Sequence, residues 1–350
     1  MYIEKNHLPS KVTMFTVIHG RTADELWQRA ADEFRSGVRA GKQSSRAGPT
    51  REILRAVLSL ADPRQRWVLS RQPPLNPAFA IAKTVWTVTG RNDAEFLNYF
   101  NRSLPKYAGH GNTYHGAYGH RLRSHVQFDQ LERAYLALRH NPSSRQVVLQ
   151  IWDAKVDLPD PFGVEASPDV PCNLMSMLKV RGGKLEWTQV VRSNDLHLGL
   201  PYNLVQFTTL QEIMAGWLGV EVGTYCQLSD SLHVYEHSVE HVERSIPVAS
   251  ALSTDDLAVP KVASEESFRE LSSCIELMIR PEMRAVELVN MVQKCNLPTA
   301  FRNMLCVVCA EGARRRCAIQ HSHQVMATCT NPLYCQLFER WLAIPRRQQV

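Results

Sequence analysis

The 350-residue chain is 44% hydrophobic and 21% charged, which suits one large domain with an appendage, or two modest domains, and excludes a disordered chain. Forty basic residues against 34 acidic ones leave a formal charge of +6, too small an excess to imply nucleic-acid binding and equally suited to an anionic small molecule. No run of about 18 apolar residues occurs, so no membrane span is expected; Glu4 and Lys5 stand where a signal peptide needs its apolar run, so a cytoplasmic protein with nine reduced cysteines is expected.

Thr22 caps a predicted helix over 22–36 with apolar residues at helical spacing. The next segment, GKQSSRAGPT at 41–50, reads as a mobile basic loop, and the first 45 or so residues as partly mobile. Residues 52–60 and 67–70 flank the turn signal ADPRQR and read as the strands of a hairpin. Two consecutive helices are predicted within 77–100, the first around Trp86. An amphipathic helix over 129–139 stops at Asn141-Pro142, and RQVVLQIWD at 145–153 reads as a buried strand. NLMSMLKV (173–180) and KLEWTQVV (184–191) are strand-like and joined by Arg181-Gly182-Gly183, a hairpin signal. A long apolar helix over 203–218 ends at Gly219. Residues 247–262 read as a linker between a catalytic domain, 1–246, and a helical C-terminal extension, 263–350. Helices mixed with strands, without regular βαβ alternation, predict the α+β class.

The most informative stretch is VRSNDLHLGLPYNLVQF at 191–207. An arginine fork matches phosphate oxygens bidentately, and an asparagine presents a donor and an acceptor to a planar amide edge. Those are the groups a nucleotide site needs. An ordinary strand-turn-helix junction uses the same residue types, and the stretch taken alone does not separate the two.

This stretch resembles the R-S-x-D-x-x-L-G-x-P-F-N signature of the thymidylate synthase family, with Tyr202 in place of Phe. Upstream, DVPCNLMSML is similar to the family's P-P-C-H-x-x-x-Q-F segment, with Cys172 at the Cys and the family's spacing to Arg192. NPSSR at 141–145 resembles N-P-x-S-R-R, GAYGHR at 116–121 resembles V-Y-G-x-Q-W-R, and DSLHVYEH at 230–237 resembles G-D-x-H-x-Y-x-N-H. The blocks run in family order.

The resemblance implies the thymidylate synthase fold and one-carbon transfer from 5,10-methylenetetrahydrofolate to carbon 5 of a pyrimidine nucleoside monophosphate. It makes Cys172 the nucleophile that adds to ring carbon 6. Arg192 and Ser193 would bind the 5′-phosphate, and Arg192 would also lower the thiol's pKa. Arg145 would reach the phosphate of a partner subunit, which implies a homodimer, and Arg46 or Arg51 would complete the cluster. Asn203 would read a uracil base, His233 and Tyr235 would hold the sugar, and Tyr118 would line the ring. Asp195, with Gly199, would face the folate.

The resemblance fails at defined positions. The family's acidic residue three positions before Trp86 is Lys83; a lysine can donate a proton to the ring carbonyl, but a carboxylate relay is missing there, and Asp93 and Glu95 cannot simply replace it. Asn173 and Met177 replace the family's His and Gln after the nucleophile, and Asn194 replaces a Cys, a spelling similar to pyrimidine-nucleotide hydroxymethylases. The Trp pair bordering the folate is absent, with Tyr114 and His115 the nearby rings. Both products, methyl and hydroxymethyl, therefore stay open, as does a non-catalytic nucleotide-binding role. In the tail, Cys306, Cys309, Cys317, His321, His323, Cys329 and Cys335 are numerous enough for a zinc site, but CVVCAEGARRRC lies in a helical apolar pattern, and structural cysteines explain it with less effort; no metal is expected.

Overall fold

The computed structural model describes residues 15–37, 40–160, 162 and 167–344. The N-terminal Glu4 and Lys5 and the basic end at Arg346–Val350 lie outside them.

The chain is α+β. Strand β1 (Thr16–Gly20) leads into α1 (Ala23–Ser36), where Thr22 Oγ1 accepts the Glu25 amide at 3.2 Å and Gly37, at φ 65°, ends the helix. The segment read as a loop supplies a short strand, β2 (Gly41–Gln43), antiparallel to the start of β3 (Thr50–Leu60). Residues 67–70 form no strand. The Leu69 and Ser70 amides donate to the buried Asp24 Oδ1, each at 2.7 Å, so a carboxylate takes the place of a ladder partner.

Helices α2 (Pro77–Val88) and α3 (Ala94–Asn98) are the predicted pair, α2 opening on an Asn76 cap with Pro77 in its first turn. Then come α4 (Pro105–Ala108), α5 (Tyr118–His120) running into a π-helical turn at Arg121–His125, α6 (Gln130–His140), a strand β4 reduced to Val148–Gln150, and α7 (Ala154–Asp157). The hairpin β5 (Asn173–Arg181) and β6 (Lys184–Asp195) turns at Gly182 and Gly183, both at positive φ. Helix α8 (Leu200–Leu218) is followed by β7 (Glu221–Tyr235), a strand that hydrophobic patterning did not reveal, and α9 (Glu236–Glu243). Helices α10 (Lys261–Met278), α11 (Ala285–Lys294), α12 (Thr299–Arg315), α13 (Ile319–Met326) and α14 (Pro332–Leu342) make the tail. Among the described residues no helix is long and apolar enough to cross a membrane.

The sheet has the order β1-β3-β7-β6-β5-β4, with β2 on β3; β1 and β3, and β6 and β7, are parallel pairs. Its register sets two rows. Ile18, Leu58, Gln227, Gln189, Ser176 and Leu149 lie opposite one another across six strands, and all are buried. One residue along, Val17, Val57, Leu228, Val190 and Met175 form the row on the other face, half-buried or exposed. The inner row is polar where the outer row is apolar.

Helix α8 is buried on nearly every side, packing on β6, β7, α2 and α10, while α12 packs on α2. The helices of the tail thus share one continuous core with the sheet. The span before α10 lies against α8: Leu257 donates its amide to the buried Glu212 at 3.0 Å, and Glu212 is ion-paired with Arg66. The backbone crosses α8 so closely at Gly216 that a Cβ there would meet the Ala258 carbonyl carbon at 2.4 Å. Gly216→Ala is therefore expected to lower stability by about 1–3 kcal/mol, read as a lower urea midpoint at unchanged slope.

Candidate active site

The sequence-predicted residues come from separate segments but meet at one end of the sheet. Cys172 immediately precedes β5, Arg192 to Asp195 end β6, and His233 to Tyr235 end β7; the antiparallel β5–β6 and parallel β6–β7 pairings bring these ends together. The Arg192 amide donates to the Cys172 carbonyl at 2.9 Å, and a bulge between Asn173 and Met175 bends β5 beside the thiol. The first turns of α8 add Asn203, α2 adds Lys83 and α5 adds Tyr118.

The backbone leading to Cys172 has no strand partner and is held from outside. Arg192 donates from Nε to the Pro171 carbonyl and from Nη2 to Val170, both at 2.9 Å. Arg46 donates from Nη2 to the Pro168 carbonyl at 2.9 Å. Between them the Gly116 amide donates to Asp169 Oδ2 at 2.7 Å, and Gly116 is packed so tightly that a Cβ would lie 2.6 Å from the Asp169 carbonyl oxygen. Arg51, the alternative to Arg46, is turned away into ion pairs with Glu236 and Glu243, each at 3.3 Å.

The Cys172 thiol is partly accessible, and the charges acting on it are Arg192, Asp169, Lys83 and Arg46. Arg192 pulls its pKa down as expected, yet burial outweighs the three cations and Asp169 adds to burial, so the thiol sits above its ordinary value. Lys83 Nζ lies 5.7 Å from the centre of the Tyr118 ring; burial brings its pKa down to about 8 while Cys172 and Asp169 resist. Burial raises the Tyr118 phenol, with Cys172 adding to the rise. The Tyr118 ring leans on Phe207 at 5.9 Å, and its hydroxyl faces Asn173, whose Nδ2 is buried and closes no hydrogen bond of good geometry.

Asp169 was not found by sequence reasoning. Burial raises its carboxyl to about 6, against the Gly116 amide, His115, Lys83 and Arg121. The signal was an acidic residue three positions before the nucleophile, in a segment read only for its Pro and Cys.

A buried amide network underlies the site. Asn203 Nδ2 donates to Asn194 Oδ1 at 3.3 Å, Asn194 Nδ2 to Ser229 Oγ at 3.1 Å, and Gln227 Nε2 to the same hydroxyl at 3.2 Å. On the Cys172 side, Gln189 Nε2 donates to Asn173 Oδ1 at 3.0 Å, while Ser176 and Trp187 donate to Gln189 Oε1. Such networks fix side-chain orientation because each unpaired member is costly. The two non-family residues Asn173 and Asn194 are both anchored in it.

Asp195 Oδ1 accepts the His197 and Leu198 amides at 2.6 and 2.9 Å, closing the turn into α8, and the Gly199 amide donates to the Asp195 carbonyl at 3.0 Å. Its Oδ2 is buried without a partner; burial raises the carboxyl, opposed by the Leu198 amide, His233 and Arg71. Arg71, buried, donates from Nε to the His197 carbonyl at 2.6 Å. The buried His233 meets Tyr235 edge-on at 5.3 Å, and Tyr235 stacks on His237. Further along, His241 helps line a cavity of about 700 Å³ with Gln72, Pro73, Arg340 and Ile344, away from Cys172.

Two predicted residues stand differently. Ser193 is partly exposed beside Arg192 at the end of β6. Arg145 is exposed before β4, and among the described residues its guanidinium makes no hydrogen bond or ion pair. Tyr114 is tied to Asn98, and His115 to Asp157 at 2.6 Å. In the tail, Cys306 and Cys309 are buried on α12, and among the described residues no three His, Cys, Asp or Glu side chains converge as a metal set would. Alkylation of Cys172 by iodoacetamide, followed by peptide mass mapping, is expected to be slow at neutral pH and to need a pH above the ordinary thiol value of 9.0. Arg192→Gln is expected to shift that profile further up, and Asp169→Asn to shift it down.

Comparison with known proteins agrees with this geometry. Residues 65–272, more than half of the chain, match the family model described as thymidylate synthase. A deoxyuridylate hydroxymethyltransferase of Bacillus phage SP01 is 36% identical over 196 residues, covering 53% of this chain and 50% of that protein. One from Pseudomonas phage M6 is 36% identical over 204 residues, covering 57% of each. A thymidylate synthase of Clostridium beijerinckii is 31% identical over 114 residues, 33% of this chain and 41% of that protein. The chain thus spans about half the length of the curated relatives it matches. With residues 65–272 matching that model and Cys172, Arg192 and Asn203 carried to one end of the sheet, the chain belongs to the thymidylate synthase family.

Proposed function

We propose that this protein transfers a one-carbon unit from 5,10-methylenetetrahydrofolate to carbon 5 of a uracil nucleotide such as dUMP, through a covalent adduct on Cys172, and that the product is the hydroxymethyl nucleotide. The observation that carries the reading is the thiol itself: partly accessible, at the end of a sheet, with the charges of Arg192, Lys83 and Arg46 acting on it.

Each role follows from chemistry the site supports. Arg192, Arg46 and Ser193 bind the 5′-phosphate by charge-assisted hydrogen bonds. The Cys172 thiolate, disfavoured by burial and favoured by Arg192, Lys83 and Arg46, adds to carbon 6. Asn203, its orientation fixed by Asn194, complements the carbonyl-4/NH-3 edge of uracil. His233 and Tyr235 hold the sugar, and Tyr118 borders the ring. The folate fits at Asp195, whose unpartnered buried Oδ2 is an acceptor for a ring N–H, and at Gly199, where a side chain would crowd the Asp195 backbone. When bound, the folate supplies the one-carbon unit. Asn194 and the two phage relatives, named deoxyuridylate hydroxymethyltransferases, support water rather than hydride as the final addition.

The outer sheet row of Val17, Val57, Leu228, Val190 and Met175 is an apolar stripe suited to a second copy of the chain, which makes the working unit a homodimer with Arg145 serving the neighbouring phosphate. Sedimentation equilibrium is expected to give twice the 39.7 kDa chain mass, and Val190→Glu to halve it.

Incubation with methylenetetrahydrofolate and [5-³H]dUMP is expected to release tritium and yield a product heavier by a hydroxymethyl group, with release lost in Cys172→Ala. Arg192→Ala is expected to weaken dUMP binding by about 10- to 100-fold, the worth of hydrogen bonds to a charged group. A dUMP-induced rise in melting temperature without tritium release from the parent would instead mark a nucleotide-binding protein without catalysis.

A further inference from the structure

Removal of the carbon 5 proton needs a group with an available lone pair, and the surroundings of Cys172 narrow the choice. Arginine has no acceptor. Lys83 is protonated at neutral pH, and burial drives the Tyr118 and Tyr114 phenols up, making them poor bases. His115 is bonded to Asp157 and to Arg121 Nη2. Asp195 has one oxygen committed to the turn into α8 and interacts with Arg71 and Tyr235.

Asp169 remains. It is three residues from the sulfur, on a segment that Arg46 and Arg192 clamp at Pro168, Val170 and Pro171, and its Oδ2 is fixed by the Gly116 amide at 2.7 Å. Its charge acts on Cys172, Lys83, Tyr114 and Tyr118 alike, which places it amid them. The charged and titratable groups facing it are Lys83 from α2, His115 and Tyr114 from the loop before α5, Tyr118 on α5, Arg121 from the π-helical turn, and Cys172 on its own segment.

We propose that Asp169 is the general base that takes the carbon 5 proton, with Lys83 as the acid at the ring carbonyl, so that the nucleophile segment supplies the carboxylate absent from α2. This assignment rests on the one-carbon transfer proposed above. After carbon 5 has bonded the one-carbon unit, its C–H bond breaks. The proton moves to an Asp169 oxygen, the electron pair forms a carbon 4–carbon 5 double bond, and the displaced carbonyl π pair takes a proton from Lys83 Nζ. Asp169 then loses its proton to solvent, and Lys83 regains one.

Tritium release from [5-³H]dUMP with methylenetetrahydrofolate, followed against pH in parent, Asp169→Asn and Lys83→Met, tests it. Asp169 must be deprotonated and Lys83 protonated, so, with each rate divided by the Cys172 alkylation rate at the same pH, the parent profile rises through about pH 6 and falls above about pH 8. Asp169→Asn is expected to lose about 10²- to 10⁴-fold in rate and its rising limb, while keeping the dUMP-induced melting shift. An Asp169→Asn enzyme that stays within threefold of the parent, or retains the rising limb at any rate, overturns the assignment. Should that variant fail to fold, Lys83→Met carries the test, and a retained fall above pH 8 overturns it. A parent that releases no tritium overturns the one-carbon reading and this assignment together; an active parent with an unchanged Asp169→Asn profile overturns this assignment alone.

Discussion

Two guanidinium groups holding the carbonyls of Pro168, Val170 and Pro171 determine where the Cys172 sulfur stands. That backbone enters β5 without a ladder partner, and the two arginines give its carbonyls charged donors, holding the segment that carries Cys172. They also place positive charge beside the sulfur. The site therefore couples backbone satisfaction and electrostatics through the same two side chains, and the Gly116 amide completes the hold from the opposite side.

Much of the site was legible because its residues are contiguous. Cys172 with its Pro, and Arg192 to Asn203, lie in two short stretches whose spacing reflects one hairpin and the turn into α8. Asp169 was not legible as a functional group. Its placement near Lys83 depends on α2, the Gly116 loop and the nucleophile segment meeting in space, and no spacing along the chain encodes that meeting. The engagement of Arg51 likewise depends on acidic neighbours, Glu236 and Glu243, that lie far off in sequence.

Fold errors have a similar cause. Hydrophobic alternation finds strands that bury apolar residues. Strand β7 instead buries Gly223, Tyr225, Gln227 and Ser229, so the strand paired between β3 and β6 carries no such signal. Conversely, residues 67–70 look like a strand because they are apolar, but Asp24 meets their amides first. The polar row that hid β7 also supplies the network that orients Asn173 and Asn203, so the feature that defeated the pattern serves the site.

The crossing at Gly216 has a consequence for how the protein is made. Helix α8 forms its contacts with β6, β7 and α2 from residues synthesised by Tyr235, yet Leu257, α10 and α12 cover what remains of its surface and that of α2. A nascent chain that has emerged only as far as α9 thus leaves that surface of α8 and α2 uncovered until the residues through α12 follow, and chaperones that shield apolar surfaces would meet it in that interval.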